Sequence, residues 1–503
     1  MSRLRFILFL LVLSTGYVNS ANLLGVFSSP GYSQFILGEK LMTELARRGH
    51  KVTVISPYKP REEVENYRTI LTDGLIQGPQ RDMFQRVSES YWSRIKGIHH
   101  LGYTLTEYTL GHPDVQELIH SNKSFDLVIA EQFANEALMG FGPHFKAPTI
   151  LFSSIGLSEW NSHLMGNIKL PSVVPTSKTE YTESMTFFQR SVNALVNLGD
   201  ILYKEFVAFP IHQEYLETYF PTKMDLKEVI YNASLMFLNS HFSIGQPTFL
   251  TTSVVEIGGF HISPKKLPEH IQKFLDDARD GAILFSMGTN LNLSNLSRDK
   301  LSSICKALSK LKQRVLWKME EDAVSEKYEN ILMSKWLPQV DILGHSNVVA
   351  FVTHGGLLST TEAVFHGVPM VGIPIFGDQR MNVARCLQKG IAVHLSFEDL
   401  TETSLFDAIN QVIENPTYRQ NVKKLSAIFH DRVVEPLDLA MYWVEYVIRH
   451  GWASHLKDPS LNLTWYQLYL VDVIGFAVLC ALIVYQCFPN RRRQSGKEKY
   501  KRN

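Results

Sequence analysis

An apolar run, a loop of small residues and a helix-period segment occur together twice in this chain, at residue 23 and again at residue 282. Residues 23–28 are apolar, Ser29-Pro30-Gly31-Tyr32 follow, and Ile36, Leu37, Leu41, Leu45 and Ala46 then recur at helical spacing up to Gly49. Residues 52–55 read as the next strand. A strand–helix–strand opening demands a parallel sheet covered by helices on both faces. Further buried strands are expected at 125–130 and 149–153. The same grammar restarts at 282–286, with Met287-Gly288-Thr289-Asn290 as its loop and a helix at 299–311. Strands at 314–317, 349–353 and 370–373 complete it. The expectation is an α/β chain of two doubly wound, Rossmann-like domains facing one cleft, with ligands at the carboxyl ends of the strands. The first domain spans 21–260 and the second 269–430. Residues 261–268, with two Pro and two Lys, are the linker, and 431–467 are C-terminal helices and a juxtamembrane segment.

The 503 residues are 45% hydrophobic and 20% charged, which excludes a disordered chain. Lys+Arg 50 against Asp+Glu 49 argues against a nucleic-acid partner. Four cysteines exclude a disulfide scaffold or a zinc-ribbon array, and leave a Cys305–Cys386 pairing open. The positive charge sits at the two ends, so residues 21–490 hold 41 basic against 48 acidic side chains.

Both ends read as membrane signals. Residues 1–20 have a basic start (Arg3, Arg5) and an apolar core at 6–13 too short to span, the pattern of a signal peptide cleaved before Ala21. Residues 468–488 are apolar but for Asp472 and Gln486, long enough for a transmembrane helix. Trp465, Tyr466 and Tyr485 mark the interfaces, and Arg491, Arg492 and Arg493 place the tail 489–503 in the cytosol. The chain is expected to be a single-pass type I membrane protein. Lys499 and Lys501 fit a dilysine retrieval pattern, which implies the endoplasmic reticulum membrane with both domains lumenal. Sequons at Asn122, Asn232, Asn292, Asn295 and Asn462 are candidate glycosylation sites. The aromatic-rich stretch 187–220 reads as a core helix in preference to a pocket wall or a membrane-facing surface.

Residues 351–379 run F-V-T-H-G-G-L-L-S-T-T-E-A-V-F-H-G-V-P-M-V-G-I-P-I-F-G-D-Q, with Trp336-Leu-Pro-Gln339 just upstream. A strand that turns through His354-Gly355-Gly356 into a helix offers close backbone approach, free N–H groups and the positive end of a dipole to a diphosphate. His354 and Ser359 can add hydrogen bonds, Glu362 suits ribose hydroxyls, and Trp336 offers a flat face to a base. These residues resemble the signature of the UDP-glucuronosyltransferase family of UDP-glycosyltransferases, and the general layout of nearly the whole chain is similar to it. The resemblance implies the GT-B arrangement and donor-binding roles for Ser286, Trp336, Gln339, His354, Gly356, Ser359, Glu362, Asp378 and Gln379. It implies inverting transfer of a hexose from UDP-glucose or UDP-glucuronate to a small lipophilic acceptor, for detoxification or for hormone or pigment conjugation, with no metal and no cofactor. Oligomerisation, with itself or another chain, is left open. Leu358 stands where many relatives carry Asn, which removes one polar contact to phosphate.

The catalytic position departs from the family. Relatives place a His at the start of the first helix as the base and an acid at the end of a later strand to orient it. Here those positions are Gln34 and Glu131. An amide cannot remove a proton. Either the chain is a transferase that uses Glu131 directly or takes acceptors needing little help, such as thiolates or amines, or it is a non-catalytic binder of UDP-sugar or lipophilic ligands. His50, His99, His112 and His163 read as structural or surface residues.

Overall fold

The computed structural model describes residues 20–75, 89–159, 161–167, 169–289, 291, 296–319 and 328–487. Asn292, Asn295, the leader 1–19 and the tail 489–503 lie outside the described residues. Among the described residues two all-parallel sheets carry the fold. The first has seven strands in the order β3-β2-β1-β4-β5-β6-β7: β1 (Asn22–Val26), β2 (Lys51–Ser56), β3 (Tyr67–Leu71), β4 (Leu127–Glu131), β5 (Thr149–Ser153), β6 (Leu235–Leu238) and β7 (Val254–Glu256). The second has six in the order β10-β9-β8-β11-β12-β13: β8 (Ala282–Ser286), β9 (Arg314–Lys318), β10 (Ile331–Ser334), β11 (Val348–Thr353), β12 (Met370–Gly372) and β13 (Ala392–His394). The central strands β1, β4, β5 and β8 are buried on both faces, which is why they read as continuous apolar runs. Each of their fully buried Leu, Ile or Val side chains stabilises the sheet by about 1.5–3 kcal/mol.

The expected strands fall within a few residues of those observed, and five strands were not expected at all. β3 buries only Ile70 among its five residues, and β7 and β13 have three residues each, so none carries an apolar run. Helix α1 (Tyr32–Arg47) packs the same face of the first sheet as predicted, burying Leu37, Leu41 and Leu45. The core-helix expectation for 187–220 fails in α2 (Phe187–Tyr203). Its buried residues are the polar Asn193 and Asp200, while Phe187, Phe188, Leu195 and Ile201 face outward, Phe187 at 78% exposure. The helix is inverted because its inner face meets a buried ionic network rather than a hydrocarbon core.

The C-terminal helices return to the first domain, a packing that the sequence did not indicate. Helix α3 (Pro436–His450) leaves the second domain and inserts Met441, Val444 and Val447 into the core formed by β1, α1 and β2. The apolar helix α4 spans Val471–Cys487, 17 residues, and begins after Leu470, whose φ is +55°. At ~1.5 Å per residue it is about 25 Å long. Among the described residues no helix is long and apolar enough to cross a membrane. Cys305 and Cys386 are both buried, and the Cys386 thiol is free, so no disulfide joins the two. Asn122 and Asn462 are exposed, whereas Asn232 accepts a hydrogen bond from the Lys457 ammonium.

Candidate active site

Strands β1 and β4 are neighbours although distant in sequence, and so are β8 and β11. The winding of each sheet reverses there, which leaves a crevice beyond the carboxyl ends of those strands. The two crevices open on one cleft of about 1830 Å³. Ser29 after β1, Ser154 after β5, Ser286 and Gly288 at β8, and His354 and Gly356 after β11 all line it.

At the β8/β11 end, Gly355 adopts φ +78° and Gly356 caps the helix Leu357–His366 with no side chain bonded to its first N–H groups. Those donors and the dipole behind them face the cleft. The His354 ring is wedged between two glycines: a Cβ on Gly288 would lie 2.6 Å from it and one on Gly356 2.7 Å. Burial first, and then the nearby Lys318 ammonium, push the His354 imidazole down to about 4. It is therefore neutral near pH 7 and serves as a donor through one ring N–H. Ser286 accepts from the Gly288 N–H at 3.4 Å.

Lys318 was missed in the sequence because the strand was ended one residue early. It is the last residue of β9, beside β8, and its Nζ donates to the Gly288 carbonyl at 2.9 Å and lies 5.0 Å from the Trp336 ring centroid. Burial pushes it down to about 8. The arrangement brings a cation to the same end of the cleft as the free helix N–H groups.

Gln339, Ser359 and Glu362 converge as expected. The Gln339 amide donates to Ser359 Oγ at 3.1 Å and to Glu362 Oε2 at 2.7 Å. Glu362 Oε1 lies 3.2 Å from His261 Nε2. His261, read only as the start of the linker, thus fixes the carboxylate from the other side. Trp336 is 51% exposed at the cleft wall, and the edge of Tyr32 from α1 meets it at 5.4 Å.

Asp378 and Gln379 stand at the opposite side of the turn. Gln379 Oε1 accepts from the Ile375 and Phe376 N–H groups at 2.8 and 3.0 Å, which commits its carbonyl and fixes its amide. Asn382, a residue sequence reasoning did not mark, donates to Asp378 Oδ2 at 2.8 Å and to the Gly355 carbonyl at 3.1 Å. It ties this pair to the glycine turn. Burial pushes the Asp378 carboxyl up, against the Asn382 hydrogen bond. Leu358 packs against the core of the first domain.

On the first-domain side, Gln34 lies at the start of α1 and lines the cleft. Its amide donates to Ser154 Oγ at 3.1 Å, and its carbonyl accepts from the Ser29 hydroxyl. Glu131, at the end of β4, is 2% exposed and does not border the cleft. The expectation that it could act directly on an acceptor fails, because Ser154 stands between it and the open space. Burial pushes its carboxyl up to about 7, against hydrogen bonds from the Ser154 side chain and the Ser29 backbone. Beyond these groups the wall carries Ile98, Leu101, Leu105, Phe133 and Ile155, interrupted by the polar Arg94, His100 and Thr104. Behind that wall Lys178 pairs with Glu159 and, at 3.5 Å, with Asp200, and Asp200 lies 3.3 Å from His99. His99 is thus a buried structural residue, and His163 is half-buried away from the cleft. Among the described residues no group of three or more His, Cys, Asp or Glu is placed to hold a metal ion.

The family model described as UDP-glucoronosyl and UDP-glucosyl transferase matches residues 26–493. The chain is 35% identical to UDP-glucosyltransferase 2 of Dactylopius coccus over 99% of its length and 98% of that protein's. It is 31% identical to human UDP-glucuronosyltransferase 2B10, with 90% and 89% of the two chains covered. A solved structure of Phytolacca americana UGT2 complexed with UDP-2fluoro-glucose and pterostilbene shares the fold, at TM-score 0.58 and 15% identity, over 85% of this chain and 99% of that one.

Proposed function

Because the chain belongs to the UDP-glucoronosyl and UDP-glucosyl transferase family and is a UDP-glycosyltransferase, we propose that it moves glucose from UDP-glucose to a small lipophilic acceptor. The observation that carries this reading is the convergence on one cleft of an uncapped glycine-turn helix, the Gln339–Glu362 pair and the Asp378–Gln379 pair, opposite a partly apolar wall. The helix N-terminus and Lys318 hold the diphosphate and take up the charge that develops as it leaves. His354 adds a neutral hydrogen bond. Glu362 and Gln339 take the ribose, Trp336 the base, and Asp378 with the Gln379 amide the sugar hydroxyls. The acceptor enters from the first domain, on the face of the sugar away from the diphosphate, so a single displacement inverts the anomeric carbon.

Two observations favour glucose over glucuronate. The relative at 35% identity is named a glucosyltransferase. Cations on the acceptor side of the cleft are also engaged: Arg61 with Glu39, Arg47 with Glu62, Lys178 with Glu159, Arg94 with the Lys178 carbonyl and Lys40 with the Ser263 hydroxyl. UDP release measured with each donor over a panel of phenols, thiols and amines tests the choice. Turnover with UDP-glucose is expected; turnover with UDP-glucuronate alone would reverse it.

Membrane attachment is part of the proposal. The apolar stretch 468–488 and the outward apolar face of α2 support it, and the leader and the dilysine pattern support a lumenal placement in the endoplasmic reticulum. Endoglycosidase-sensitive glycan at Asn122 is the expected result, and an unglycosylated, freely soluble chain would contradict it.

A further inference from the structure

At the start of α1, where the family's base would stand, Gln34 cannot take the acceptor proton, and the hydrogen bonds around it have a direction that supplies a destination at the same end of the cleft. The Gly31 N–H donates to Ser29 Oγ at 3.3 Å. The Ser29 hydroxyl hydrogen therefore points onward, to the Gln34 carbonyl. With its carbonyl committed, Gln34 turns its NH₂ to Ser154. An amide NH₂ only donates, so Ser154 Oγ must accept from it. The Ser154 hydrogen is then left for the Glu131 carboxylate behind it, with which that side chain is hydrogen-bonded. Every polar group in the row is aligned, and the row ends on a buried carboxylate whose Oε1 has no hydrogen-bond partner among the described residues.

Ser154 Oγ keeps a second lone pair, and it lines the cleft. Resting on the transferase reading above, we propose that Ser154 is the catalytic residue that receives the acceptor proton and passes its own to Glu131, with Gln34 as the positioning residue. In the step, the acceptor oxygen bonds to the anomeric carbon as the bond from that carbon to the phosphate oxygen breaks. UDP leaves with the electron pair. The acceptor hydrogen moves to Ser154 Oγ, and the Ser154 hydrogen moves to Glu131, which ends as the neutral acid. Solvent returns the site to its starting state once product has left. No charged side chain contributes to the shifted Glu131 carboxyl; burial dominates, opposed by Ser154 and the Ser29 N–H. A group near 7 matches the proton affinity such a base needs near neutral pH.

The test compares a phenol with a thiol that is already ionised at the assay pH, in the full chain with UDP-glucose. Ser154→Ala and Glu131→Gln are expected to lower kcat for the phenol by about 10²–10⁴-fold, the usual contribution of a positioned base. KM for UDP-glucose and kcat for the thiolate should change by less than about threefold, which also shows that the variants fold. Ser154→Thr should restore part of the phenol rate. The unmodified enzyme should lose phenol turnover as pH falls through about 7, and Glu131→Gln should flatten that profile. Phenol turnover in Ser154→Ala equal to the unmodified rate would overturn the relay, and so would an equal loss with phenol and thiolate. An absence of transfer from the unmodified enzyme to every acceptor would overturn the transferase reading and the relay with it.

Discussion

Glu362 shows how a single side chain in this cleft is held and what its loss should do. Its two oxygens are taken by Gln339 and His261, so it presents a fixed carboxylate rather than a mobile one. Glu362→Ala strands both partners and is expected to weaken UDP binding by about 1–3 kcal/mol, read by titration calorimetry; unchanged affinity would remove it from the site. Most of the residues proposed to hold the donor stand out in the sequence because they fall at 336–339 and 354–379, where the turn chemistry is local. Lys318, His261 and Ser154 do not, because each reaches the cleft from a segment that the linear sequence does not place beside these stretches; Asn382 lies three residues past the second, but its bonds to Asp378 and Gly355 appear only in the folded turn. Glu159 behind the acceptor wall was equally hidden. Burial would raise its carboxyl, but the Lys178 ammonium holds it at about 2. A folded-state value below the ordinary one means that the pair stabilises above about pH 4.5 and that this contribution is lost as pH falls toward 2. Glu159→Gln leaves Lys178 buried without its main partner and should cost about 3–5 kcal/mol in denaturant melts at pH 7, with a smaller difference from the unmodified chain near pH 3.

At the scale of elements, most strands with apolar cores were readable and the edge strands were not; the exception is β6, whose four buried residues Leu235–Leu238 are an apolar run too short to stand out beside the helical segments before it. β3 exposes or half-exposes four of its five residues, so its membership of the sheet comes from pairing with β2 and from nothing in its own pattern. Helix α2 misled for a different reason. Its apolar residues are genuine and recur at helical spacing, but Asn193 and Asp200, seven residues apart, select the inner face because they satisfy the buried loop 174–176 and Lys178. Replacing Phe187 and Phe188 of α2, together with the exposed Phe206 just beyond its C-terminal end, by Ser should therefore leave thermal stability nearly unchanged, as for other exposed positions. The same triple variant should reduce association with phospholipid vesicles in a flotation assay. A large drop in melting temperature would show that these rings pack inside the fold, and unaltered flotation would detach α2 from the bilayer.

For the molecule as a whole, the doubly wound plan and its single cleft followed from two strand–loop–helix openings, whereas the return of α3 to the first domain did not. Its apolar face reads as helical but does not say which core receives it. In the structure Met441 is fully buried against β1 and α1. Met441→Ala should destabilise the first domain by about 2–5 kcal/mol, seen as an earlier transition in a melt, with UDP affinity retained because the second sheet holds that site. The cleft between the sheets is where the account stands or falls, and product analysis after incubation with UDP-glucose and a thiol or phenol tests it most directly. The account predicts stoichiometric UDP and glucoside, with the β configuration at the anomeric carbon, and loss of both in Asp378→Ala. Binding of UDP-glucose without transfer to any acceptor, or product formation that survives Asp378→Ala unaltered, would contradict it.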